Sequence, residues 1–169
     1  MDAANVDLKS MSDDYYRNIC GGTLQPVLDT ITYLKESGTW VEVTNLVVPT
    51  LNDDPDEIDS LSRWVLENTG EDTPLHFSRF FPMYRLTDLP PTSIDTLRGA
   101  RERAREIGLN HVYVGNVVTP EGMTTKCAEC GETLIVRQGF MITENNILNG
   151  KCGSCSAPIA GVWDGMEEE

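Results

Sequence analysis

Residues 40–70 read WVEVTNLVVPTLNDDPDEIDSLSRWVLENTG. The stretch from Trp40 to Val48 is rich in β-branched residues and is closed by Pro49, which marks a strand. A loop follows. Asp54 then suits a helix N-cap, Pro55 suits the first helical turn, and Gly70 suits the stop. This strand–loop–helix unit is the recurring motif of the chain.

Working outward, the same alternation returns on both sides. Upstream, ANVDLK (residues 4–9) has the length and Val/Leu content of a short strand. LQPVLDTITYLKESG spaces Leu24, Val27, Leu28, Ile31 and Leu34 as one face of a helix, with Gly38 as its stop. Downstream, PLHFSRFF is a third strand and YRLTDLPPTS a loop, kept irregular by Pro90 and Pro91. SIDTLRGARERAREIG is a helix with Arg/Glu pairs on its outer face, and HVYVGNV is a fourth strand. Strands alternating with helices of this length imply parallel pairing through crossovers, hence an α/β fold. Four such strands are too few for a closed barrel of eight and few for an open sheet. They read as the C-terminal part of a larger α/β structure. The pattern breaks at Thr119-Pro120-Glu121-Gly122, which divides the chain into residues 1–118 and 119–169.

Composition bounds the function classes. The chain has 169 residues, 40% of them hydrophobic, enough for one core and a small satellite. Its 27 acidic against 13 basic residues give a formal charge of −14, which disfavours nucleic-acid backbones and anionic membranes as partners. Residues 118–169 hold only Lys126, Arg137 and Lys151 as basic side chains. No run of about 18 apolar residues marks a membrane span, and Met1-Asp2-Ala3-Ala4 opens no secretory signal. A cytoplasmic location is therefore expected, and Glu167-Glu168-Glu169 reads as a free acidic tail.

Side chains alternate across a strand. Asn5, Asp7 and Lys9 share one face of the first strand. Glu42 and Thr44 lie opposite Val41 and Val43, and His76 and Ser78 lie opposite Phe77. If helices cover the apolar side, these polar faces share a concavity, where polar groups need partners or a ligand. Lys9, His76 and Asn116 are expected near the carboxyl ends of their strands. Plainer roles compete with a binding site: an ion network of Asp7 and Lys9 with each other or Glu42, a satisfied interior His76, and a turn cap at Asn116.

Four of five cysteines form two CxxC pairs, Cys127/Cys130 and Cys152/Cys155, separated by 21 residues. Two such knuckles supply four sulfurs to one tetrahedral metal. Without an export signal they read as metal ligands, with zinc expected, iron in a rubredoxin-like site as the alternative, and a redox dithiol as the outside case. A site of four thiolates has no open position for chemistry, so its role is stability. Gly131 and Gly153 suit close backbone approach, and Asn149-Gly150 is a hairpin turn signal between the knuckles. Cys20 reads as a buried apolar residue.

Together, NVDLKSMSDDYYRNICGGTLQPVLDTI (5–31), WVEVTNLVVPTLNDDPDEI (40–58), HFSRFFPMYRLTDLPPT (76–92) and HVYVGNV (111–117), followed by the knuckles and IAGVW (159–163), resemble radical SAM proteins. The branch is that of the pyruvate formate-lyase activating enzymes, specifically the AmmeMemoRadiSam type. The resemblance implies a partial (β/α) barrel, of which only the C-terminal strands are present, followed by a zinc-ribbon-like β domain. It also implies an oxidoreductase lineage, in which a reduced [4Fe-4S] cluster on a CxxxCxxC motif cleaves S-adenosylmethionine to a 5′-deoxyadenosyl radical. In the activating enzymes that radical takes a hydrogen from a glycine of a partner protein. By the same resemblance Asp7 and Lys9 line the cofactor's ribose and amino-acid end, and His76 borders its adenosyl part. Thr50 stands where the activases usually carry glycine. No CxxxCxxC occurs in the sequence. The chain is therefore expected to be inactive alone and to need a missing N-terminal half or a split-gene partner. The rival expectation is a non-catalytic interaction module built on the ribbon.

Overall fold

The computed structural model describes residues 1–139 and 141–163, so the acidic tail lies outside the described residues. The chain divides into two compact units, Met1–Val117 and Val118–Glu169.

In the first unit, β1 (Ala3–Asp7) leads to a short helix α1 (Asp13–Tyr15), which widens into one π-helical turn, Tyr16–Cys20. Helix α2 (Gln25–Glu36) follows, then β2 (Trp40–Val47), α3 (Pro55–Thr69), β3 (Leu75–Arg79), α4 (Ile94–Ile107) and β4 (Val112–Gly115). The strands pair in parallel in the order β1-β2-β3-β4. Strand order never reverses, so the sheet has no switch point of the doubly wound kind.

The helix boundaries follow from local chemistry. Asp54 accepts from the Asp56 amide at 2.9 Å and Ser93 Oγ accepts from the Thr96 amide at 3.0 Å, each capping the start of its helix. Helix α2 lacks such a cap of its own, but the Leu24 amide donates to Asp13 Oδ1 at 2.9 Å. Gly38, Gly70 and Gly108 follow the three helices with positive φ.

All three crossover helices pack on the same side of the sheet. Leu28 and Ile31 of α2, Ile58, Leu61 and Val65 of α3, and Leu97, Ala100 and Ala104 of α4 meet Val41, Val43, Leu75, Phe77, Val112 and Val114. Phe77 and Leu75 are fully buried, each contributing about 1.5–3 kcal/mol of transfer free energy. The loop after β3 is stapled to the sheet by buried Thr92. Its hydroxyl donates to Val47 O at 2.6 Å and accepts from the Phe80 amide at 3.0 Å.

Tyr15 at the end of α1 and Tyr16 at the start of the π-helical turn are both buried, and the turn is capped by Gly21, with φ 72°. Cys20, its last residue, is exposed. This corrects the expectation of a buried apolar thiol: the two tyrosines take the inward positions and leave the cysteine on the outer side.

In the second unit, a short helix α5 (Pro120–Met123) precedes β5 (Thr124–Lys126), β6 (Thr133–Gln138) and β7 (Met141–Asn145), an antiparallel sheet in the order β5-β6-β7. Strands β8 (Ile147–Leu148) and β9 (Lys151–Cys152) form a hairpin turned by Asn149 and Gly150. Both turn residues have positive φ, 50° and 70°, as a type I′ turn requires. No helix among the described residues is long and apolar enough to cross a membrane.

Thr50 has φ 67°, a left-handed conformation that a β-branched residue adopts at a cost of about 1–2 kcal/mol. Replacing it by glycine removes that strain and gives back part of the gain as unfolded-chain entropy. Thr50→Gly is therefore expected to raise unfolding free energy by roughly 0.5–1 kcal/mol. Urea titration checks this, and a stability loss would contradict the strain.

Candidate metal centre and open polar face

The four cysteines of the two CxxC pairs bring one sulfur each to a common point, all within 4.8 Å of one another. Their local structures are near copies. Cys127 N donates to Glu132 O and Cys152 N to Ala157 O, each at 2.8 Å. Gly131 N returns to Cys127 O and Ser156 N to Cys152 O, at 3.0 and 2.9 Å. Gly131 and Ser156 hold matching left-handed conformations, φ 73° and 62°. Gly131 is thus required by its φ, with no atom within 4 Å of where a Cβ would stand. Gly153 is required by proximity, since a Cβ there would meet Asn146 O at 2.8 Å.

The donor geometry fits one metal ion. Cys127 Sγ lies 3.7 Å from Cys155 Sγ, and Cys130 Sγ lies 3.8 Å from Cys152 Sγ. A tetrahedral ion with metal–sulfur bonds of about 2.3 Å has sulfur–sulfur edges of about 3.8 Å. Sulfurs this close cannot each take a separate corner of a four-iron cube. Backbone amides already favour charge at one of them: the Cys155 and Ser154 amides bring the Cys152 thiol down to about 7. At Cys130 the Glu132 amide likewise lowers the thiol, but the neighbouring Cys155 sulfur, burial, and the Cys127 and Cys152 sulfurs together push it up to about 12. Crowded sulfurs resist shared ionisation, and a cation at their centre relieves that resistance. Leu134 and Ile135 form the small core behind the cluster with Cys127 and Cys152.

The other feature is the side of the parallel sheet that α2, α3 and α4 leave bare. Strand register places Asp7, Thr44, His76 and Tyr113 in one row across all four strands. Asn5 and Glu42 are paired neighbours one row away, and Ser78 with Gly115 lie beyond the row on the other side. His76 Nε2 meets Glu42 Oε2 at 2.8 Å, and its ring stacks on Tyr113 at 5.2 Å. His76 holds the Glu42 carboxyl below its ordinary range against the opposing effect of burial. Thr44 Oγ1 donates to Asn5 Oδ1 at 2.9 Å. Lys9 Nζ pairs with Asp7 Oδ2 at 3.1 Å, both side chains remaining partly exposed. A Cβ on Gly115 would stand 2.7 Å from Ser78 Oγ, so a side chain there would force that hydroxyl to turn away.

Three side chains fix the backbone of Lys9. Its amide donates to Tyr16 Oη at 3.0 Å, and its carbonyl accepts from Asn45 Nδ2 at 3.0 Å and Asn52 Nδ2 at 2.6 Å. The same Asn45 amide also donates to Leu8 O, and Asn52 also donates to Leu46 O, both at 2.9 Å. One turn further, Ser10 Oγ and the Met11 amide both donate to Glu57 Oε1.

Asp7, Lys9 and His76 therefore share the open face. Lys9 lies two residues beyond the end of β1, whereas His76 is second in β3; the stagger of the strands brings His76 level with Asp7. Asn116 plays the plainer role, holding φ 59° and donating to Arg79 O at 3.1 Å. Tyr113, Tyr16, Asn45 and Asn52 were not singled out from sequence. Tyr113 was accessible by alternation between Val112 and Val114. The signal that could have found Asn45 is its place on the otherwise apolar side of β2, in line with Val41, Val43 and Val47.

No family model matches the chain. An uncharacterized protein of Methanocaldococcus jannaschii is 46% identical over 161 residues, covering 94% of this chain and 48% of the relative. The chain thus spans about half the length of the curated relative it matches. Among solved structures, a domain of a pyruvate-formate lyase-activating enzyme from Bacteroides vulgatus aligns with TM-score 0.58 and 15% identity, covering 68% of each chain. A radical SAM methyltransferase from Sphaerobacter thermophilus aligns with TM-score 0.50 and 16% identity, over 66% of this chain and 33% of that one. At those identities the likeness is one of fold alone.

Asn52 is buried and satisfies the Lys9 and Leu46 carbonyls and the Val48 amide at once. Asn52→Ala strands those groups and is expected to cost about 2–3 kcal/mol of stability. Chemical denaturation checks this, and a loss under about 0.5 kcal/mol, the usual range of surface substitutions, would show that the groups find other partners.

Proposed function

We propose that this chain supplies one wall of the S-adenosylmethionine pocket of an activase-like radical SAM enzyme of the AmmeMemoRadiSam type. Its four cysteines then hold a structural zinc ion in a ribbon-like domain. The observation that carries this reading is the row Asp7–Thr44–His76–Tyr113, flanked by Lys9, on a parallel sheet whose helices all lie on the opposite side.

In this reading the sheet is the C-terminal section of a partial (β/α) barrel. Strand β1 hydrogen-bonds only to β2 within its sheet, and Ala3, Asn5 and Asp7 are exposed. That open edge suits continuation by further strands. The Lys9 ammonium suits the cofactor's carboxylate, Asp7 suits ribose hydroxyls, and the His76–Tyr113 stack offers a planar surface beside the adenosyl part. When bound, the cofactor supplies a 5′-deoxyadenosyl radical after reduction by a [4Fe-4S] cluster. This chain's own residues bind and orient it. The cluster motif is absent from the sequence, so the cluster belongs to additional polypeptide, either the rest of a protein of the relative's length or a second chain. A protein substrate suits the likeness to an activating-enzyme domain, and the charge of −14 disfavours nucleic acid.

The functional test is to supply S-adenosylmethionine and a one-electron reductant and assay 5′-deoxyadenosine. The chain alone is expected to form none. When it is joined to a CxxxCxxC-bearing half, product is expected, and Lys9→Ala lowers it at least tenfold. Turnover by the chain alone, or full activity without Lys9, would sink the reading. A second reading, an interaction module without catalysis, draws on the exposed Met141 and Ile142 of edge strand β7. It predicts that no completing half restores turnover.

For the metal, elemental analysis of protein purified without added metal is expected to give one zinc per chain. Chelation or Cys127→Ser is expected to melt the second unit while the first stays folded, as read by amide spectra. Iron with a thiolate charge-transfer band would replace zinc, and no bound metal would remove the assignment.

A further inference from the structure

The loops at the two ends of the parallel sheet treat backbone strain differently. Where helices return to strands, the left-handed positions are glycines: Gly38, Gly70 and Gly108. Beyond the carboxyl ends of β2, β3 and β4 they are Thr50, Tyr84 and Asn116. A tyrosine at φ 56° is an outlier for a bulky residue, and such strain is retained where the surroundings over-determine it.

Tyr84 sits at the tip of a tight turn closed by pairing between Met83 and Leu86, with the Leu86 amide donating to Met83 O at 3.1 Å. The turn projects apolar surface outward: Tyr84 is 85% exposed, Met83 73% and Phe81 47%. Each exposed ring carries a cation. Arg85 lies 5.2 Å from the centre of the Tyr84 ring and Arg79 4.8 Å from that of Phe81. The base is rigid, because Thr92 ties it to Val47 and Phe80, and Arg79 Nε donates to Thr92 O at 2.8 Å. In a chain of charge −14, no acidic residue occurs between Asp72 and Asp88.

We propose that the loop 79–87 is a recognition finger for an acidic segment of a partner protein, one that sets an apolar side chain beside one or two carboxylates. The apolar part packs on Phe81, Met83 and Tyr84. The carboxylates meet Arg85 and the outer edge of Arg79. Charge complementarity selects this occupant. The chain's overall field repels a continuous polyanion such as nucleic acid, whereas a short segment with isolated carboxylates is drawn to the acid-free loop. The finger stands independently of the cofactor reading, since none of its residues belongs to the Asp7–Tyr113 row.

The test is a titration of the 15N-labelled full chain with a synthetic peptide of Glu–Leu repeats at low ionic strength. Shifts are expected to concentrate at residues 79–87. Arg85→Glu is expected to weaken binding at least tenfold with unchanged thermal stability, and Tyr84→Gly, which keeps the turn's conformation and relieves its strain, severalfold with thermal stability unchanged or raised. Absence of binding, shifts centred elsewhere, or indifference to both substitutions would overturn the proposal. So would oligothymidylate moving the same amides at lower concentration, which would assign the loop to a polynucleotide.

Discussion

Everything in the first unit depends on its three crossovers lying on one side of the parallel sheet. A parallel pair cannot be closed by a short turn, so each crossover carries a helix. Because α2, α3 and α4 all cover the same face, alternation along each strand sorts the side chains into two populations. Val41, Val43, Leu75, Phe77, Val112 and Val114 form the core with the helices. Asn5, Asp7, Glu42, Thr44, His76 and Tyr113 are left on the face opposite those three helices. A buried helix–sheet core and a polar wall are thus two consequences of one winding direction.

The carboxyl ends of the strands concentrate the irregular chemistry. Asn45, Asn52 and Tyr16 converge on the Lys9 backbone, and Glu57 of α3 holds the next turn. Thr92 performs a similar task for β2 and the segment after β3. These buried polar groups meet mostly backbone partners, which fixes main-chain position more firmly than a surface ion pair can. The Lys9–Asp7 pair is only partly shielded and contributes little to stability. Asn45 Oδ1 is the one buried side-chain acceptor without a partner among the described residues, beside the same strand ends. Strain at Thr50 and Tyr84 belongs to this end as well.

The second unit has a different basis. Its described apolar core is little more than Leu134 and Ile135 with two of the cysteines, packed by Ile147, Ala157 and Ile159. A segment of that size cannot offset its own ordering entropy by burial alone. Two knuckles of matching backbone geometry bring four sulfurs to the edge length of a metal tetrahedron, and an ion held there would couple its binding to the folding of the segment.

Much of this was legible in residues alone. Period-two alternation and helical spacing identified β1 to β4, the three crossover helices and the Asp54 cap, because those signals act over a few neighbouring residues. The paired CxxC spacing announced a four-sulfur site for the same reason. The Tyr16–Cys20 π-helical turn was not legible: nothing in YRNIC separates a helical turn of one width from another, and Cys20 faces outward only because Tyr15 and Tyr16 take the interior. Likewise, the sequence by itself placed Asp7 and His76 on polar faces of separate strands. Only the tertiary structure decided that they stand in one row, because strand stagger is set by packing across the sheet. It alone decided that His76 pairs with Glu42, and that Asn45 and Asn52 serve Lys9, since partners 34 to 43 residues apart meet only when the chain is wound.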